Sequence, residues 1–175
     1  MTDGNRRRAG PRAAARTPSL RDPVAFARAA HAGAWADGKP RWLRSLEVMR
    51  LLPEVLPGIR VTHEDRQVAL LRDVLEATAA TERDLLRAGF PEAVVAGVVR
   101  LSRFDAGLPV LDHLRAVAAS RDLSAMRAAM AGLLLEEKLD PAPPGGRAGA
   151  AMREAAEARE RRRQAMAILA RGLGC

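Results

Sequence analysis

Apolar residues recur along most of this chain at spacings of three and four, the period of a helix buried on one side. Val24, Phe26, Ala27 and Ala30 make the first such stripe. Asp22 and Pro23 precede and open it, as helix starts favour, and Gly33 marks its end. The segment "AWADGKPRW" then reads as a loop. Leu46, Val48, Met49 and Leu52 predict a second helix over 43–52, broken by Pro53 and by "LPGIRV". Thr62, with Asp65 three residues on, predicts a capping box in which Asp takes the place of the usual Glu. The helix it opens is expected to run to about Glu76, with Val68, Leu71 and Leu75 on one stripe.

The pattern continues with helices over 81–88, stopped by Gly89, and over 91–102, where Val94, Val95, Val98, Val99 and Leu101 supply the apolar face. Two more follow over 108–120 and 123–138. "PAPPGGRAG", 141–149, is a linker by its composition. Residues 150–171 predict a charged C-terminal helix with a weak apolar face of Ala, Met152, Met166 and Leu169. That face suits either the bundle or a second copy of the chain. Residues 1–19, "MTDGNRRRAGPRAAARTPS", have no apolar period and read as a disordered basic arm. No internal repeat is visible.

Composition sharpens the class. Hydrophobic residues make up 48% of the chain, enough for a core, while Tyr is absent and Ala, Leu and Arg dominate. These are helix formers, so the class is all-α, with one helical domain over 20–140. The net charge of +8 sits at the ends. Residues 1–22 hold six Arg and two Asp, and residues 147–175 hold seven Arg and three Glu, so each end carries +4. The middle is neutral, with sixteen basic and sixteen acidic residues. A nucleic-acid surface would therefore lie in the basic ends and not on the body. Cys175, the one cysteine, cannot form an internal disulfide, and no Cys/His cluster has zinc spacing. No apolar run approaches the roughly 20 residues of a membrane span, and no apolar segment follows the N-terminal arginines as in a secretory signal. A cytoplasmic location is the expectation.

Three segments carry candidate chemistry. "FARAAHAGAWADGKPRWLRSLEVMRLL" contains Ala30-His31-x-Gly33 and, after a loop, Gly38-x-Pro40 before a helix. "LLRDVLEATAAT" sets Asp73 and Glu76 three apart behind an apolar run. "LSRFDAGLPVLDHLRAVAASRDLSAMRAAMAGLL" closes the series. In this order they resemble the HD-domain hydrolases of the guanosine tetraphosphate type (the small alarmone hydrolases), over roughly 23–140. The resemblance implies an HD-like helical bundle. It also implies four metal-ligand positions, which fall on Arg44, Arg72, Asp73 and Gly132. Only Asp73 keeps its ligand type. The glutamate that helps position the catalytic water falls on Glu76, and its acidic neighbour on Ala77. The loop after His31 is one residue short and has Ala34, Trp35 and Ala36 in place of a basic pair.

Guanidinium has no lone pair to give a metal and stays charged, so arginines at ligand positions repel a dication. One carboxylate cannot hold Mn²⁺ or Fe²⁺ against water. Metal-assisted activation of water is therefore not expected, and no metal or other cofactor is implied. Buried carboxylates need partners, so Arg72 and Arg44 are expected to compensate Asp73 and Glu76 in place of the metal. Arg72 neighbours Asp73 in sequence, and helical geometry would point the two about 100° apart. Arg44 is the residue expected to reach Asp73 or Glu76. The alternative is an open pocket in which the two arginines take a phosphate or another anion.

The leading function is that of a degenerate HD protein, silent in hydrolysis, serving as a binding or scaffolding module. The second is a divergent phosphohydrolase of a nucleotide or pyrophosphate. Partners of three kinds suit the sequence: an anionic small molecule, a protein, or nucleic acid bound through the basic ends. His31 reads as a partly buried residue at a helix end, His63 as exposed, and His113 as too distant from the others for a triad. "RERRR", 159–163, reads as a solvated face.

Overall fold

A computed structural model describes residues 22–140 and 150–174, apart from 37, 56, 104 and 106. The basic arm, the linker and Cys175 lie outside the described residues. The chain is all-α apart from one small hairpin. Helix α1 spans Pro23–Ala30, and Asp22 caps it by accepting from the backbone N–H groups of Val24 and Ala25. Strands β1 (Trp35–Ala36) and β2 (Lys39–Pro40) pair antiparallel, Trp35 opposite Pro40. The expected loop is thus a two-residue hairpin. Gly38 has φ +73°, a conformation that a side chain would strain.

Helix α2 runs Trp42–Val55 and includes Pro53, which does not end it as expected. Pro53 is exposed. Pro53 has no N–H to give the Met49 carbonyl, one turn before it in the helix. Val48 and Leu52 on the inner side are buried, and this packing carries the helix past the proline.

Helix α3 spans His63–Leu71 and α4 spans Val74–Ala77. The single helix expected over this stretch is therefore interrupted at Arg72 and Asp73. The expected capping box of Thr62 with Asp65 forms, and a second one, Thr81 with Asp84, opens α5 (Glu82–Arg87). Helix α6 is Glu92–Leu101, α7 is Val110–Ala119, α8 is Leu123–Leu139 and α9 is Ala150–Leu173.

The main core gathers Val48, Leu52, Val68, Leu71, Val74, Leu85, Val94 and Val98 around the small face of α8, Ala128 and Ala131. Phe26 and Phe90 meet edge to face, their centroids 5.5 Å apart. A second core joins Leu114, Val117, Met126 and Ala129 to Ala165 and Leu169, so α9 lies on α7 and α8 of its own chain. Met152 stays out of that contact, 58% exposed, contrary to its expected place on the apolar face. Ile168 is buried in its stead.

Asp65 is fully buried, and three donors meet its carboxylate. The Thr62 N–H donates at 2.8 Å, the Ser124 hydroxyl at 2.7 Å and the Arg127 guanidinium at 2.8 Å, while Asp65 N–H itself donates to the Thr62 hydroxyl. The capping residue of α3 is thereby tied to α8. Burial alone would raise the carboxyl's pKa, but the Thr62 and Ser124 hydrogen bonds and the Arg127 charge outweigh it and hold it below the usual carboxylate range.

Removing one member of a buried ion pair strands the other charge. Asp65→Ala is therefore expected to cost roughly 3–5 kcal/mol in urea unfolding. The replacement of both Asp65 and Arg127 by apolar residues should cost less than the sum of the two single changes.

Candidate functional site

The interruption between α3 and α4 creates the site. Asp73 has φ −97° and ψ −2°, at the edge of the helical region, and at this turn the side chains of Arg72 and Asp73 meet. Arg72 Nε donates to Asp73 Oδ1 at 3.1 Å. Both side chains are about four-fifths shielded from water, 25% and 21% exposed. The pair is thus desolvated enough to count for more than a surface ion pair.

The guanidinium then lies against Gly132 of α8. A Cβ built on Gly132 would meet Arg72 Nη1 at 1.9 Å and Cζ at 2.8 Å, well inside contact distance. Position 132 is therefore open only because it has no side chain, and Arg72 fills the volume. Three of the four residues singled out by the sequence, Arg72, Asp73 and Gly132, come together here.

Arg44 does something else. It stands 3.8 Å from Glu136, one turn beyond Gly132 on α8, with both side chains more than a third exposed. It lines a neighbouring cavity with Lys39 and Glu47, and the expected reach to Asp73 or Glu76 gives way to this pairing. The reason is lateral offset: α2 delivers Arg44 to the C-terminal half of α8, beside Glu136. Glu76 is exposed, and its carboxylate accepts from the backbone N–H of Arg103 at 3.1 Å.

Next to the Arg72–Asp73 pair lies a cavity of about 330 Å³. Arg41, Arg103, Glu76, Glu136 and His113 supply its polar lining, and Leu101, Val110, Leu114 and Leu133 its apolar one. Sequence reasoning missed Arg41, Arg103 and His113. His113 Nε2 is 3.0 Å from the Leu101 carbonyl, which only accepts, so Nε2 carries the proton. No local motif pointed to these three; the fold collects them from the β2–α2 junction, the segment after α6, and α7.

His31 caps the C-terminus of α1 and is 2% exposed, deeper than the half-buried position expected. Neither ring nitrogen has a hydrogen-bond partner among the described residues. Burial lowers its pKa; the Asp73 carboxylate opposes that, and Arg41 adds to it. His31 is thus a neutral ring behind the site. The chain matches no family model and no curated protein.

Two predictions follow from this geometry. Gly132→Ala in the presence of Arg72 should displace the guanidinium and break its bond to Asp73. In an Arg72→Ala background the same change should gain up to about 1 kcal/mol, the helix preference of Ala over Gly. A double-mutant cycle by thermal unfolding should return a coupling of roughly 1–3 kcal/mol. For His31, a pKa below the unfolded value of about 6.5 means that the unfolded chain binds the proton first. Stability should fall as pH drops below about 6.5. His31→Leu should flatten that decline between pH 7.5 and 5.5 in urea titrations.

Proposed function

We propose that this chain is a degenerate HD-type bundle without metal-dependent hydrolysis, and that it serves as a binding module. The observation that carries this reading is the Arg72 guanidinium seated on Asp73 and over Gly132. If the four resembling positions once held a dication, two ligands are now cations, Arg44 and Arg72, and a third, Gly132, has no donor atom. The surviving carboxylate is engaged by Arg72. This donor set does not fit Mn²⁺, Fe²⁺ or Zn²⁺, whose ligands are imidazole, thiolate or carboxylate. Among the described residues, no three His, Cys, Asp or Glu side chains converge as a ligand set.

Filling the ligand volume leaves the neighbouring cavity intact. A fixed guanidinium–carboxylate pair forms one wall, and water-accessible arginines stand around it. Such a surface suits recognition, because it presents paired and unpaired charge beside an apolar lining. The helices packed on it hold that wall rigid. Among the described residues, no helix is long and apolar enough to cross a membrane.

Elemental analysis of the purified full chain tests the reading. Mn, Fe and Zn should each fall well below one equivalent, and the melting temperature should not respond to chelator or added MnCl₂. Stoichiometric metal together with a chelator-induced loss of stability would overturn it.

A further inference from the structure

The carboxylates around the cavity are engaged, and two of its guanidiniums are not. Asp73 pairs with Arg72, Glu136 pairs with Arg44, and Glu76 accepts from the Arg103 backbone. Among the described residues, neither Arg41 nor Arg103 has a carboxylate partner. Arg103 Nε is moreover buried and without a hydrogen-bond partner. A buried donor left unmade is costly, and a ligand oxygen is one way to satisfy it. Arg41 lines the same cavity and is exposed. Leu101, Val110 and Leu133 line it as well and give it apolar surface of the kind that holds an organic body.

We infer that this cavity binds a small organic dianion of the phosphomonoester type, its oxyanion held by Arg41 and Arg103 and its apolar body laid on Leu101, Val110 and Leu133. Guanidinium forks match the oxygens of phosphate and carboxylate alike. Two unmatched cations set against the single charge of Glu76 favour the more highly charged group. His113, already donating to Leu101 from Nε2, closes the wall beside them. The inference rests on the proposed metal-free function. It moves the anion site away from Arg44 and Arg72, which are paired, to cations that are not.

Titration calorimetry on the full chain at pH 8 tests it with three probes of one size: phenyl phosphate, benzoate and benzyl alcohol. Phenyl phosphate should bind most tightly, benzoate more weakly, and benzyl alcohol least. Arg103→Gln and Arg41→Gln should each weaken phenyl phosphate roughly tenfold or more, the scale of one charge-assisted hydrogen bond. Arg103→Lys should restore part of the loss. Glu76→Gln should tighten binding, because it removes a like charge while its amide oxygen still accepts from Arg103; a purely structural role for Glu76 would not produce that gain. Arg115→Gln, outside the cavity and paired with Asp112, should leave binding unchanged.

Circular dichroism confirms that each variant is folded, and exposed Arg41 provides a variant with little bearing on the core. The inference is overturned if folded protein fails to bind phenyl phosphate, if Arg115→Gln weakens it as much as Arg103→Gln, or if Glu76→Gln weakens it. Its failure is separable from that of the proposed function. Metal-free protein without phenyl phosphate binding refutes the anion site alone. Stoichiometric metal with Arg103-dependent binding refutes the metal-free reading alone.

Discussion

One guanidinium sets the terms for the centre of this protein. Arg72 reaches back to Asp73 and lies where a side chain at position 132 would otherwise stand. Each of the three depends on the others. A carboxylate so far removed from water is costly unless a cation meets it. The cation needs volume, and Gly132 supplies it by having no Cβ. The two neighbours in sequence meet where the helix is interrupted, at Asp73.

The two acids of this region are handled differently by the fold. Asp65, at the start of α3, is sealed and surrounded by donors, so its charge is spent on holding α3 to α8. Asp73, just past the other end, keeps some exposure and a single ion-pair partner. The first arrangement builds a frame, and the second builds a wall of the cavity. With the carboxylates occupied, the charge left over on that surface is positive, although residues 23–146 are neutral as a whole. Net charge of the domain therefore says little about what its cavity attracts. The local surplus arises from which charges the packing pairs and which it leaves.

The basic helix α9 makes the same point. "RERRR" reads as a solvated face, yet Arg162 is 13% exposed and reaches Asp140 at 3.4 Å. Arg161 and Arg163 do stay at the surface beside Glu157 and Glu160. An arginine run on a helix is divided by the 100° step between residues, so neighbours in the run meet different surroundings.

Local chemistry made much of the fold legible. The stripes of Val68, Leu71 and Leu75 and of Val94, Val95 and Val98 named core faces, and Asp22, Thr62 and Thr81 named helix starts, because caps and periodicity act within a few residues. Asp37-Gly38, a two-residue hairpin signal, lies within the segment that reads as a loop. The all-α class and the singling out of Arg72, Asp73 and Gly132 also came from the sequence. Only the tertiary structure decided that α2 passes Pro53, that the helix breaks at Asp73, that Arg44 goes to Glu136, and that Arg41, Arg103 and His113 share one cavity. Each of these outcomes turns on a neighbour distant in the chain. Contacts between distant segments are set by how whole helices pack, and no local pattern of residue types encodes that packing.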